Sequence, residues 1–128
     1  MSESNIESPH NLEQRIINIY NEIDRGQFET LFDICDDNIV YERDGLENDG
    51  HLKIDGLGAF KNFYNNERKL TGIHNTESVQ NDGNSITVTS SFEGTNDGTS
   101  IKLRYKDTWV FNTEGKVTYR LSQIVRQS

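Results

Sequence analysis

The segment 104–112, Arg-Tyr-Lys-Asp-Thr-Trp-Val-Phe-Asn, places a carboxyl group where one is costly. Side chains alternate along a strand, so Asp107 shares a face with Ile101, Leu103, Tyr105, Trp109 and Phe111. A charge buried in such a row needs a partner. Two uses are open. Asp107 is a structural aspartate bonded to backbone or to an arginine. Or it is a pocket carboxyl whose proton is held by apolar walls, able to donate to a developing oxyanion or to act as acid or base.

Four other residues have the chemistry to join it. Glu42 closes the segment "NIVYER", where Val40 and Glu42 share one face and Tyr41 and Arg43 the other. Periodicity alone leaves open which pair turns inward. His74 begins a strand a few residues after Arg68 in "NNERKLTGIH". It is either a general base near neutral pH or a hydrogen-bonded structural residue. Arg120 alternates with Thr118 and Ser122; if that face turns inward, Arg120 meets Asp107 or a ligand. Tyr20, on a helix, reads most simply as a core tyrosine. No metal site is expected, because His10, His51 and His74 lack ligand spacing and one cysteine makes no thiolate cluster. Neither a phosphate-binding glycine loop nor a Gly-x-Ser-x-Gly elbow is present, and no cofactor is expected.

The elements that must position these groups follow from periodicity. Leu12, Ile16, Ile19 and Ile23 form a helical stripe, with Asn11 as cap and Gly26 as stop. A shorter helix fits 28–35, and the first strand fits 38–43. Residues 44–53 carry turn signals and read as a loop. Asp55 is expected to cap a third helix whose apolar face is Leu57, Phe60, Phe63 and Tyr64. Strands follow at 73–80, 85–93, 100–111 and 116–126, joined by "NDGN", "GTNDGT" and "NTEG". Three helices before an antiparallel meander predict an α+β fold, a curled sheet with the helices across its concave face.

The 128 residues fit one domain, read as a disordered lead over 1–10 and a single domain over 11–128. A net charge of −8 with scattered Lys and Arg argues against nucleic acid and anionic membrane as partners. Cys35 is alone, the start resembles no secretory signal, and no run is long and apolar enough to span a membrane. These features together read as a cytoplasmic protein.

The order helix, helix, strand, helix, then long strands resembles the nuclear transport factor two-like superfamily, which includes ketosteroid isomerase, scytalone dehydratase, limonene epoxide hydrolase and the SnoaL-like cyclases. The resemblance spans roughly 11–126 and is carried by "DRGQFETLFDICDDNIVYER", "IDGLGAFKNFY", "SSFEG" and "KDTWVFNTEGKV". It implies a cone-shaped curved antiparallel sheet that three N-terminal helices close over a pocket. Matched to ketosteroid isomerase, Asp107 takes the place of the protonated oxyanion-hole aspartate and Glu42 that of the base. Phe63, Phe92, Trp109 and Tyr105 then fall on pocket walls, and Arg120 lines the pocket from the last strand. The family's oxyanion tyrosine aligns with Ile19, so Tyr20 is expected to point about 100° away. Arg68 and His74 match a pattern of SnoaL-like proteins. The resemblance therefore implies a SnoaL-like cyclase, isomerase or dehydratase for an apolar oxygenated small molecule, and a homodimer. The alternatives are a hydrolase using the same carboxylates, or a non-catalytic ligand-binding or dimerising module.

Overall fold

The structure is a computed structural model that describes residues 9–46 and 50–127. Helix α1 (Pro9–Asp24) is followed by α2 (Glu29–Ile34), β1 (Cys35–Leu46), β2 (Gly50–Asp55), α3 (Leu57–Asn62), a π-helical turn (Phe63–Glu67), then β3 (Leu70–Asn81), β4 (Ser85–Asn96), β5 (Thr99–Phe111) and β6 (Val117–Gln127). One six-stranded sheet runs in the order β2-β1-β6-β5-β4-β3. All neighbours are antiparallel except β1 and β6, which run parallel. The sheet is therefore mixed where wholly antiparallel pairing was expected. A parallel pair needs a long connection, and here the whole of β2 to β5 supplies it.

Three local expectations are corrected. Helix α1 begins by Pro9, so Asn11 lies inside it and not at its cap; the lead expected over 1–10 otherwise lies outside the described residues. The loop expected at 44–53 is mostly a hairpin. β1 runs on to Leu46 and β2 pairs with it, Tyr41 opposite Ile54 and Arg43 opposite Leu52. Turn signals at both ends of this short edge strand hid it. Asp55 does not cap α3; Gly56 stands at that position with φ 90°.

Gly26 stops α1 as expected, with φ 74°. The register of β3 and β4 then sets how the cone closes. Gly72 and Gly94 face each other across the two strands, and a Cβ on Gly94 would lie 2.1 Å from the Thr71 carbonyl oxygen. Only glycine permits this approach. Register shifts in β3 and β6 mark bulges, which bend a sheet and aim side chains.

Two apolar clusters result. The larger joins the helices to one end of the sheet through Ile16, Ile19, Leu31, Phe60, Ile86 and Trp109. The smaller holds Leu46, Phe92, Ile101, Leu103 and Tyr105. Buried polar groups, Arg43, Ser90, Asp107, Arg120 and Ser122, come from the sheet strands.

Replacing Gly94 by alanine should lower stability by roughly 1–3 kcal/mol, the cost of forcing backbone apart in a packed region. Thermal unfolding of the variant checks this. A melting temperature equal to wild type would mean that β3 and β4 do not approach so closely.

Candidate functional site

Strand β5 presents Ile101, Leu103, Tyr105, Asp107, Trp109 and Phe111 to the interior, every one buried. Asp107 is fully enclosed, and the neighbouring strand sets Ser122 opposite it. Its walls are not apolar. Oδ2 accepts a hydrogen bond from the Tyr20 hydroxyl at 2.5 Å and another from Arg120 Nη2 at 2.9 Å. Trp109 Nε1 donates to the Tyr20 oxygen at 3.0 Å, and Arg120 Nη1 donates to the Tyr64 hydroxyl at 2.8 Å. The Arg120 guanidinium also lies over the Trp109 ring, 4.4 Å from its centre. Three elements, α1, β5 and β6, and the π-helical turn are thereby tied at one carboxylate.

The proton affinities agree with this geometry. Burial, and then the nearby Asp107 charge, push the Tyr20 hydroxyl far above an ordinary phenol, so it stays a donor. Burial opposes the charge on Arg120, but the oxygens of Tyr64, Asp107, Tyr41 and Tyr20 more than offset that and raise its value. Tyr105 is raised by burial and then by Asp107.

Tyr20 thus corrects its expected direction. It reaches Asp107 directly, although Ile19 aligns with the family's tyrosine. Glu42 is corrected as well, because Tyr41 and Arg43 turn inward and Glu42 outward. It accepts from the Tyr119 hydroxyl at 2.8 Å and meets His51 Nε2 at 2.8 Å. The Tyr119 bond, then His51, holds its carboxyl below the usual range. Phe63 and Trp109 pack in the core behind the pocket wall, where wall positions were expected.

A cavity opens where the two apolar clusters meet. Its inner part is lined by Tyr41, Arg43, Tyr64, Arg68, Leu70, His74, Phe92, Leu103, Tyr105, Asp107, Arg120, Ser122 and Ile124. Water centres have about 30 Å³ there, room for about two waters. An outer part with about 150 Å³ for water centres adjoins it and adds Asp24, Phe28 and Gly72 to the wall. Arg68, His74 and Phe92 line both. Among the described residues, Asp107 Oδ1, Arg120 Nε and the Tyr105 hydroxyl of the inner wall are buried without a hydrogen-bond partner. Ser90 lies near enough to lower the Tyr105 value but not in hydrogen-bond geometry.

His74 is the second centre, and sequence reasoning missed its partner. Asp24 holds it twice, through Nδ1 and through the backbone N–H at 2.9 Å. Both side chains are almost enclosed, at 8% and 12% exposure. Asp24 lies four residues after Tyr20, on the same helix face, and that spacing was the available signal. Burial pushes His74 below its ordinary value, and Asp24 only partly restores it. Tyr20 packs on the ring at 5.2 Å, linking the two centres. Among the described residues no group of three or more His, Cys, Asp and Glu side chains could hold a metal ion.

A comparison of folds gives this arrangement its context. The epoxide hydrolase/cyclase-like enzyme SalBIII, which acts in pyran ring formation in polyether salinomycin, superposes with a TM-score of 0.73 at 16% identity, over 93% of this chain and 94% of its own. An NTF-2 like protein of unknown function from Burkholderia xenovorans gives 0.65 at 15% identity, over 90% and 83%. The chain has the nuclear transport factor two-like fold. A Mycobacterium tuberculosis protein in complex with estradiol-17beta-hemisuccinate shares the fold at 0.69 and 18% identity, over 87% and 91%. No protein-family model and no curated protein matches the sequence.

Two measurements probe this nuclear transport factor two-like interior. Asp107→Asn should destabilise by about 3–5 kcal/mol, because it leaves the Arg120 charge buried without its counterpart. A double-mutant cycle with Arg120→Met should show strong coupling; additive losses would mean that the pair is not closed. His74 gives a pH signature. The native state holds its proton less tightly than the unfolded chain, so its contribution to stability is full above about pH 6.5 and is lost as pH falls from there through the lowered native value. Denaturant unfolding against pH should show this acid-side loss in wild type and less of it in His74→Asn.

Proposed function

We propose that the chain is an enzyme for a small oxygenated metabolite, working by proton transfer next to a carbonyl in an isomerisation, cyclisation or dehydration. One observation carries the reading: His74, held by Asp24, lines the same cavity as Asp107, whose Oδ1 has no hydrogen-bond partner among the described residues. Asp24 holds Nδ1, which leaves Nε2 as the basic atom, and burial keeps the ring neutral near pH 7. His74 is therefore the base. Asp24 is a positioning residue that fixes its tautomer and steadies the cation it becomes.

Asp107 serves through Oδ1, since Tyr20 and Arg120 occupy Oδ2. Oδ1 accepts from a substrate hydroxyl, while Arg120 Nε and the Tyr105 hydroxyl are the donors placed to meet the oxyanion formed when His74 takes the proton. Phe92, Tyr105 and Tyr64 exclude water and contact the ligand. Glu42, turned outward, has no part in this scheme. The fold supports an enzyme reading by analogy only, because one architecture hosts many chemistries.

A second reading, a non-catalytic ligand-binding module, is favoured by the tight Asp107–Arg120 closure and the small inner space. Hydrogen–deuterium exchange separates the two. Small ketones and enones are incubated with the protein in heavy water and followed by NMR. Enzymatic exchange beside the carbonyl is expected, reduced about 100-fold or more in His74→Asn. Undiminished exchange in that variant would remove His74 as the base. Binding without any exchange would establish the module.

A further inference from the structure

The cavity walls are more cationic than the protein around them. The chain carries −8 overall, yet among the described residues Arg43, Arg68 and Arg120 line the inner part with one carboxylate, Asp107, which Arg120 already pairs. Asp24 adds a second carboxylate only in the outer part, and both of its oxygens are engaged by His74. Arg68 stands where the two parts meet. It donates through Nη1 to the Leu70 carbonyl at 3.0 Å and lies over the Tyr64 ring at 5.1 Å. Among the described residues it forms no ion pair. Deeper in, among the described residues, Arg120 Nε and the Tyr105 hydroxyl are buried donors without acceptors, beside one unpartnered acceptor, Asp107 Oδ1. A wall rich in donors calls for an acceptor, and a carboxylate accepts through both oxygens and donates through neither.

We infer that the cavity takes a small organic carboxylate, with Arg68 as its anchor. This rests on the proposed site and names its substrate class. It narrows the apolar oxygenated small molecule that the resemblance implies. Aromatic walls, Tyr64, Phe92 and Tyr105, receive the carbon skeleton. A carboxylate on Arg68 lies in the same compartment as His74, because both side chains line each part of the cavity. The surrounding negative protein repels anions at long range, so selection falls to the wall itself.

Benzoate and benzamide have nearly the same shape and differ in charge. Titration calorimetry of the whole chain with each, at low and at high salt, tests the inference. Benzoate should bind at least about tenfold more tightly than benzamide, the expected advantage of a charge-assisted contact. Added salt should narrow the gap. Arg68→Gln should bring the two affinities together, chiefly by weakening benzoate. Equal affinities in wild type, a preference that survives Arg68→Gln, or no binding of either probe would each overturn the inference. Binding requires no turnover, so the two readings fail separately. An anion preference without proton exchange would leave a carboxylate-binding module. Exchange on neutral ketones without an anion preference would leave an enzyme for neutral substrates.

Discussion

Everything inside this fold is arranged around one buried ion pair. Asp107 and Arg120 sit on adjacent strands at 0% and 4% side-chain exposure, with 2.9 Å between them. Neither charge is tolerable there alone, and the attraction offsets desolvation only when the remaining donors and acceptors are also used. Tyr20, Tyr64 and Trp109 use most of them. Helix α1 and the π-helical turn are thus held to the sheet by directional bonds as well as by apolar contact. Apolar packing alone tolerates rotation of a helix. A phenol that must reach one carboxylate oxygen does not.

That closure also determines what the cavity can do. Oδ2 is committed to the scaffold, and Oδ1 is the atom left over. The same division holds at His74, where Asp24 occupies Nδ1 and leaves Nε2 as the base of the proposed reaction. In both places a structural bond fixes the orientation of a reactive atom, the usual relation between a reacting group and its support. The π-helical turn belongs to the same design. Its wide hydrogen bond, from Arg68 N–H to the Phe63 carbonyl at 2.7 Å, buries Phe63 and Tyr64 together and delivers Arg68 to the cavity rim.

Strand periodicity made the face of β5 legible, and with it the anomaly of Asp107, because a period of two needs no knowledge of the partner strands. The same rule could not orient Glu42, since each face of β1 there carries one uncharged residue and one charge, Val40 with Glu42 and Tyr41 with Arg43, and the choice lies with the helices packed on it. Family likeness pointed the wrong way there, and for Tyr20 as well: shifting by one residue along α1 mattered less than the length of the phenol. The strand β2 was hidden because its turn residues lie at both ends of a short polar segment. The pairing of His74 with Asp24 joins residues 50 positions apart; the spacing of Tyr20 and Asp24 puts both on one helix face but does not name the strand residue they meet.

The position of β6 has a consequence for how the chain reaches this state. The last strand in chain order lies between β1 and β5, inside the sheet and not at its edge. Until it docks, the sheet exists as two separate pieces, β2-β1 and β5-β4-β3, each with an open edge. Asp107 then lies on one of those edges, exposed to water and needing no counter-charge. Arg120 arrives with the strand that closes the gap, so both charges leave water in the same event. Assembly is therefore forced to be late and concerted: long-range pairing precedes the interior instead of decorating it, which is the topology of a slow folder.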